Sequence, residues 1–133
     1  MASTGVEPIP IQAEQDIVAV RQSVRKRARE LGFSLVEQTK LVTAASELAR
    51  NALVHGRGGS CSVQKVTQPR EGIRLTFQDH GPGIGDVDEA LQDGVSTGAG
   101  LGLGLGGARR LVDDFDIHSK PGEGTRVTVT RWK

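Results

Sequence analysis

Cysteine is nearly absent from this 133-residue chain: Cys61 stands alone, so no intrachain disulfide can form and a reducing compartment is the natural setting. An excess of either charge is missing too. Seventeen basic residues face 16 acidic ones, for a net charge of +1, which gives no general pull toward nucleic acid or an anionic membrane. No stretch approaches the ~18 consecutive apolar residues of a membrane-spanning helix, and Met1-Ala2-Ser3-Thr4-Gly5 has no basic region leading into an apolar run. The expectation is a soluble, cytoplasmic protein without nucleic-acid or membrane partners. No Gly-Lys pair occurs, which excludes a Walker phosphate loop. Gly102-Leu103-Gly104-Leu105-Gly106-Gly107 matches G-x-G-x-x-G, but glycine loop precedes it and too few residues follow for a βαβ unit. His55, His80 and His118 form no close helical pair, so a hydrolytic metal site lacks its ligands.

Glycine, by contrast, is abundant: 18 residues, concentrated between Gly81 and Gly107. That concentration marks a loop system and not general low complexity. The length suits one domain, residues 1–133, which can bury a core without metal or disulfide staples. Ile9 to Ile11, flanked and interrupted by prolines, reads as an opening edge strand. From Glu14, apolar residues recur at Ile17, Val20, Val24, Ala28 and Leu31 with a helical period, and Gly32 is placed to end that helix. Arg21, Arg25, Lys26, Arg27 and Arg29 make its other side a solvated basic face. Ser34-Leu35-Val36-Glu37 has the form of a capping box, predicting a second helix that runs to His55 and is closed by Gly56. Its core stripe is Leu41, Ala45, Leu48 and Ala52.

Cys61 to Val66 and Gly72 to Asp79 read as strands joined by a turn around Pro69, with Asp79 on the same face as Ile73, Leu75 and Phe77. A carboxylate there points inward and needs a partner. A helical turn over 86–91 and a third helix from Leu105 to Asp113 follow, which would put Arg109 and Arg110 near a helix start, the wrong end for the dipole. Residues 115–119 and 125–132 form a closing hairpin, with Thr125 sharing the inward parity of Val127 and Val129. Helices early and strands later predict an α+β fold, a helix layer on one face of a mixed, mostly antiparallel sheet.

Three segments stand out in this frame. Glu47, Asn51 and His55 recur at i, i+4 and i+8, so they lie near one helical stripe. His55, at the last turn, is most simply placed by the macrodipole. Asp79-His80-Gly81-Pro82-Gly83-Ile84 ends a strand with a carboxylate and a glycine turn that a flat ring could approach. Gly98-Ala99-Gly100-Leu101-Gly102-Leu103-Gly104 offers many backbone N–H groups, the usual means by which a loop holds phosphate.

From Glu47 to Thr125 these segments resemble the nucleotide-binding boxes of the GHKL ATP-binding superfamily. Ser46-Glu47-Leu48-Ala49-Arg50-Asn51, Gly94-Val95-Ser96-Thr97 and Gly107-Ala108-Arg109-Arg110-Leu111 are most similar to the RsbT-type switch kinases. Asp16-Ile17-Val18-Ala19 and Glu30-Leu31-Gly32-Phe33 extend the similarity over nearly the whole chain. The resemblance implies the Bergerat two-layer α/β sandwich and an ATP- and Mg²⁺-dependent serine/threonine kinase. Its substrates would be STAS-domain proteins of a stress-signalling, stressosome-like complex, and its second partner a phosphatase that it activates. Anti-sigma relatives imply an alternative, a nucleotide-gated module that binds a sigma factor. Carried over by residue, the resemblance makes Glu47 the general base, Asn51 the Mg²⁺ ligand and Asp79 the acceptor for the adenine amino group. Gly81 and Gly83 shape the floor under the base, Thr125 supports Asp79 through a shared water, and Ile84 and Thr97 join the ATP site. Gly98, Gly100, Leu101, Gly102, Leu103 and Gly104 form the lid over the phosphates. Since no Lys or Arg lies between Asp86 and Gly104, Arg50 and Arg109 are the candidate cationic contacts to phosphate or partner.

Overall fold

The computed structural model describes residues 8–84 and 105–133. Helix α1 (Glu14–Glu30) forms where the apolar period predicts it, burying Ile17, Val20, Val24 and Ala28. Asp16 holds its start: Oδ2 accepts from the N–H groups of Gln12 and Ala13 at 2.8 and 3.0 Å. Gly32, at φ +82°, takes the left-handed position just past the end. Helix α2 (Leu35–Val54) opens with the expected capping box. The Glu37 N–H donates to Ser34 Oγ at 3.1 Å and the Ser34 N–H to Glu37 Oε1 at 3.0 Å. That backbone bond to Ser34 holds the Glu37 carboxyl below its ordinary pKa against the opposing effect of burial, with a smaller lowering part from the Ser34 hydroxyl.

The strands are β1 (Ile9–Ile11), β2 (Gly59–Val66), β3 (Gly72–Asp79), β4 (Asp114–Lys120) and β5 (Gly124–Trp132), in the sheet order β1-β2-β3-β5-β4. Every adjacent pair among the described residues is antiparallel, so the sheet is not mixed. The reason is topological: β3 and β4 run in the same direction, but the hairpin return strand β5 inserts between them. Helices α1, α2 and α3 (Leu105–Arg110) share one core with the inward residues of the sheet, among them Cys61, Val63, Ile73, Leu75, Phe77, Val127 and Val129. Burial pushes the Cys61 thiol pKa up, so it is a packing residue with no thiolate character. α2 buries more than its predicted stripe, adding Ala44 and Ala49, because it packs against α1 and α3 as well as the sheet. Among the described residues no helix is long and apolar enough to cross a membrane.

Two local expectations change. α3 stops at Arg110, short of Asp113, so Arg109 and Arg110 occupy its last turn, the favourable end for positive charge. Gly56 does not close α2 by a left-handed turn; His55 caps the helix and the positive-φ residues are Arg57 (60°) and Gly58 (104°). Gly56 serves another purpose, which concerns Asp79.

Candidate nucleotide site

Asp79 ends β3 on the core side of the sheet and is only 8% exposed. A buried carboxylate is costly unless it is hydrogen-bonded. Here Oδ1 accepts from the N–H of Gly81 at 2.9 Å and the N–H of Thr125 at 3.2 Å. Thr125 therefore meets Asp79 directly through its backbone, while its hydroxyl lies 2.8 Å from Ser119 Oγ. The carboxylate fits only because residue 56 has no side chain: a Cβ on Gly56 would stand 2.3 Å from Asp79 Cγ. A Cβ on Gly81 would in turn fall 2.6 Å from Gly56 Cα, so the two backbones touch. Gly124, at φ +84°, brings β5 against the Asp79 carbonyl, where a Cβ would be 2.3 Å from the oxygen.

Beyond Asp79 the chain folds back onto the β4–β5 hairpin. The Gly122 N–H donates to the Pro82 carbonyl at 2.7 Å, and the Ile84 N–H to Ser119 Oγ at 2.7 Å. Gly83, at φ +79°, passes so close to the Lys120 carbonyl that no Cβ could be placed there. A concave pocket results, lined by Leu48, Asn51, Ala52, His55, Gly56, Phe77, Asp79, Pro82, Gly83, Ile84, Leu105, Thr125 and Val127. Its walls are mostly apolar with a few convergent polar groups, the usual make-up of a small-molecule site.

Asn51, Asp79, Gly83, Ile84 and Thr125 are thus brought together, with Gly81 holding the carboxylate. Glu47 is half-buried on α2 but does not line the pocket. Each four-residue step on a helix adds about 40° of rotation and about 6 Å of rise, so Glu47 lies one turn beyond Asn51 along the groove. Arg50 points elsewhere: exposed, it pairs with Glu14 of α1 at 3.2 Å, because that face of α2 turns to α1 and not to the pocket. Arg109 is exposed on α3. Thr97, Gly98, Gly100, Leu101, Gly102, Leu103 and Gly104, with the helical turn expected over 86–91, lie outside the described residues.

His55, which the sequence places on one stripe with Glu47 and Asn51 and most simply at the helix end, lines the pocket with Nε2 buried and without a hydrogen-bond partner among the described residues. Asn51 Nδ2 is in the same condition. Unpaired buried polar atoms are rare in folded proteins. Two on one wall leave hydrogen-bonding capacity that a polar ligand could meet. If the amide is turned, the oxygen of Asn51 faces the pocket and can meet a cation. The carboxylate at one end and the polar side chains of Asn51 and His55 at the other suit a small ligand with both a hydrogen-bond donor and polar oxygens. Ser119, which braces Ile84, was also missed; its inward parity with Phe115 and Ile117 and its register opposite Thr125 were the available signals.

The model of the histidine kinase-like ATPase domain matches residues 9–131. The chain belongs to that family. It is 42% identical over 125 residues to the serine/threonine-protein kinase RsbT of Bacillus subtilis, spanning 93% of this chain and 94% of that protein. This relatedness makes it a serine/threonine-kinase-type enzyme of the histidine kinase-like ATPase family. The anti-sigma F factor of Bacillus subtilis is 31% identical over 117 residues, covering 84% of this chain and 80% of that one. A crystal structure of the RsbU and RsbW domains of a Mycobacterium tuberculosis protein superposes with a TM-score of 0.62 at 23% identity, covering 95% of this chain and 32% of that one. The nucleotide-free catalytic domain of the histidine kinase ThkA gives 0.52 at 14% identity over 96% of this chain and 97% of that one. These two likenesses bear on the fold, a two-layer sandwich of antiparallel sheet and helices.

Proposed function

We propose that the chain uses Mg·ATP to phosphorylate a serine or threonine of small STAS-domain partners in a stress-signalling complex, and then activates a phosphatase by binding it. The observation that carries this reading is the likeness to RsbT along nearly the whole chain, joined to a pocket with a fixed carboxylate and unfilled polar atoms. Asp79 accepts from the adenine amino group, with Gly81 and Gly83 under the ring and Thr125 N–H keeping the carboxylate in place. Asn51 holds the metal ion, and His55 faces the phosphate chain. The run from Gly98 to Gly104 supplies backbone N–H groups for the phosphates. The transfer is balanced as follows: the substrate hydroxyl oxygen bonds to the γ-phosphorus, the bond to the β–γ bridging oxygen breaks, and ADP leaves. Glu47, one turn beyond Asn51, takes the hydroxyl proton, a role worth about 10²–10⁴ in rate.

The likeness to anti-sigma F factors favours a second reading, a nucleotide-gated module that sequesters a sigma factor with little phosphotransfer. One paired experiment separates the two: ATP affinity by titration, and phosphate transfer to candidate STAS partners in a single turnover, located by mass spectrometry. The kinase reading expects transfer by the wild-type chain, a loss of at least about tenfold in Glu47→Ala, and retained Mg·ATP binding. Absence of transfer to any STAS partner, with ATP-dependent capture of a sigma factor, gives the second reading. Loss of ATP binding together with transfer in Glu47→Ala removes the general-base role.

A further inference from the structure

Among the described residues β4 ends the sheet, pairing with β5 along one side. Its residues Asp114-Phe115-Asp116-Ile117-His118-Ser119-Lys120 place two acids and then two bases on one face, all four exposed. The other face carries Phe115 and Ile117, packed half-buried against the core, and Ser119. Charges on an edge strand usually serve to keep other strands away. This order of charges fails at that task in one register. When a second β4 lies antiparallel and centred on Ile117, Asp114 meets Lys120 and Asp116 meets His118, each twice about the twofold axis. Beneath them Ile117 meets Ile117 of the second copy, and Phe115 lies against Ser119. Sliding by two residues halves the opposed pairs, to Asp114 with His118 or Asp116 with Lys120, and sets Asp116 against Asp116, or His118 against His118, at the axis. In-register parallel pairing sets like against like. Opposite charges directly across a strand pair stabilise it and like charges destabilise it, so with His118 protonated the centred register, which has four opposed pairs, is favoured.

We propose that β4 is a self-complementary edge through which two copies of this chain join their sheets about a twofold axis, an isologous contact that closes on itself. His118 Nε2 already lies 3.0 Å from Asp116 Oδ2 within the strand, with both side chains about two-thirds exposed. Pairing therefore adds a second carboxylate and a second imidazole to each, forming a four-membered cluster at the seam. The far end of β4 is the part that holds the pocket loop, through Ser119 Oγ to the Ile84 N–H. The two pockets then flank the seam. A single strand pair is a small contact, so the dimer is weak and reversible.

The test is sedimentation equilibrium of the full chain from micromolar to millimolar concentration, with far-UV circular dichroism of each variant. The wild-type chain should dimerise reversibly. Asp116→Lys, at an exposed position outside the nucleotide pocket, should weaken the dimer by about tenfold, and His118→Asp alone should do the same. The double variant D116K/H118D exchanges the two signs, restores opposition across the axis and should return the dissociation constant to near its original value. A chain that stays monomeric throughout overturns the proposal. So does a dimer indifferent to Asp116→Lys, which uses another face, or one weakened by the single changes that the double change does not recover.

Discussion

On one wall of the pocket Asp79 Oδ1 takes two backbone N–H groups, and Gly56, Gly81 and Gly124 approach so closely that no methyl fits among them. On the other wall Asn51 Nδ2 and His55 Nε2 are buried without a partner. The first wall is completed by the fold itself; the second keeps hydrogen-bonding capacity that nothing among the described residues meets. The same chemistry therefore has opposite consequences on the two sides. Changes that strip the acceptor from Asp79 or crowd its glycines are expected to lower stability, while changes at Asn51 and His55 are expected to leave it nearly intact.

The largest effect should come from Gly124→Ala, which combines a left-handed residue, costing about 1–2 kcal/mol, with overpacking against the Asp79 carbonyl, costing about 1–3 kcal/mol. A loss of about 3 kcal/mol in urea unfolding is expected. If stability is unchanged, the closed wall is not closed.

Asp79→Ala comes next, because it strips the acceptor from the Gly81 and Thr125 N–H groups, at about 1–3 kcal/mol for each group left unsatisfied. Asp79→Asn keeps an oxygen for both and should unfold near the wild-type midpoint while losing ATP affinity by about tenfold or more, about 1.4 kcal/mol. Calorimetric titration beside thermal unfolding reads both. Equal ATP affinity in Asp79→Asn would remove the carboxylate from the site.

Asn51→Ala and His55→Ala sharpen the comparison from the other side. Each removes an unpaired buried nitrogen, so the melting temperature should stay near that of the parent while ATP affinity falls about tenfold or more. A clear loss of stability without nucleotide would show that these groups already have structural partners.

The smallest effect lies far from the pocket. Ser34→Ala should cost about 1 kcal/mol by removing one half of the capping box. The other half is pH-dependent with a definite sign. The Glu37 carboxyl has a lowered pKa in the folded chain, so its contribution is present above its ordinary value and is lost as the pH falls through the folded value. Ser34→Ala keeps the backbone N–H that is the main cause, and with it the acid sensitivity; Glu37→Gln should flatten it. Urea midpoints between neutral pH and the acid side of the Glu37 titration measure the difference.

Much of this architecture was legible because its causes are local. The α1 stripe, the capping box at Ser34 and the inward parity of Asp79 each depend on spacing along a few residues, and a regular helix or strand preserves that spacing. What was not legible has a different cause. Gly56 looked like a helix stop because glycine after a helix usually is one, whereas its role comes from a side chain 23 residues further along that packs on its Cα. Arg50 sits beside Asn51 in sequence but on a face directed to Glu14 of α1. His55 looked like a dipole partner because nothing local shows that β3 and the hairpin loop enclose it.

Neighbouring residues alone set α1, α2, the strand parities, the GHKL resemblance and the absence of a Walker loop, since all of these are local patterns. The assembled layers settle that β5 inserts between β3 and β4, that Thr125 reaches Asp79 through its backbone, and that the Asn51 and His55 nitrogens have no partner among the described residues. The reason is that burial and hydrogen-bond satisfaction belong to the assembled layers. A residue carries its donors and acceptors in its own formula, but whether they are met depends on what the rest of the chain brings beside them.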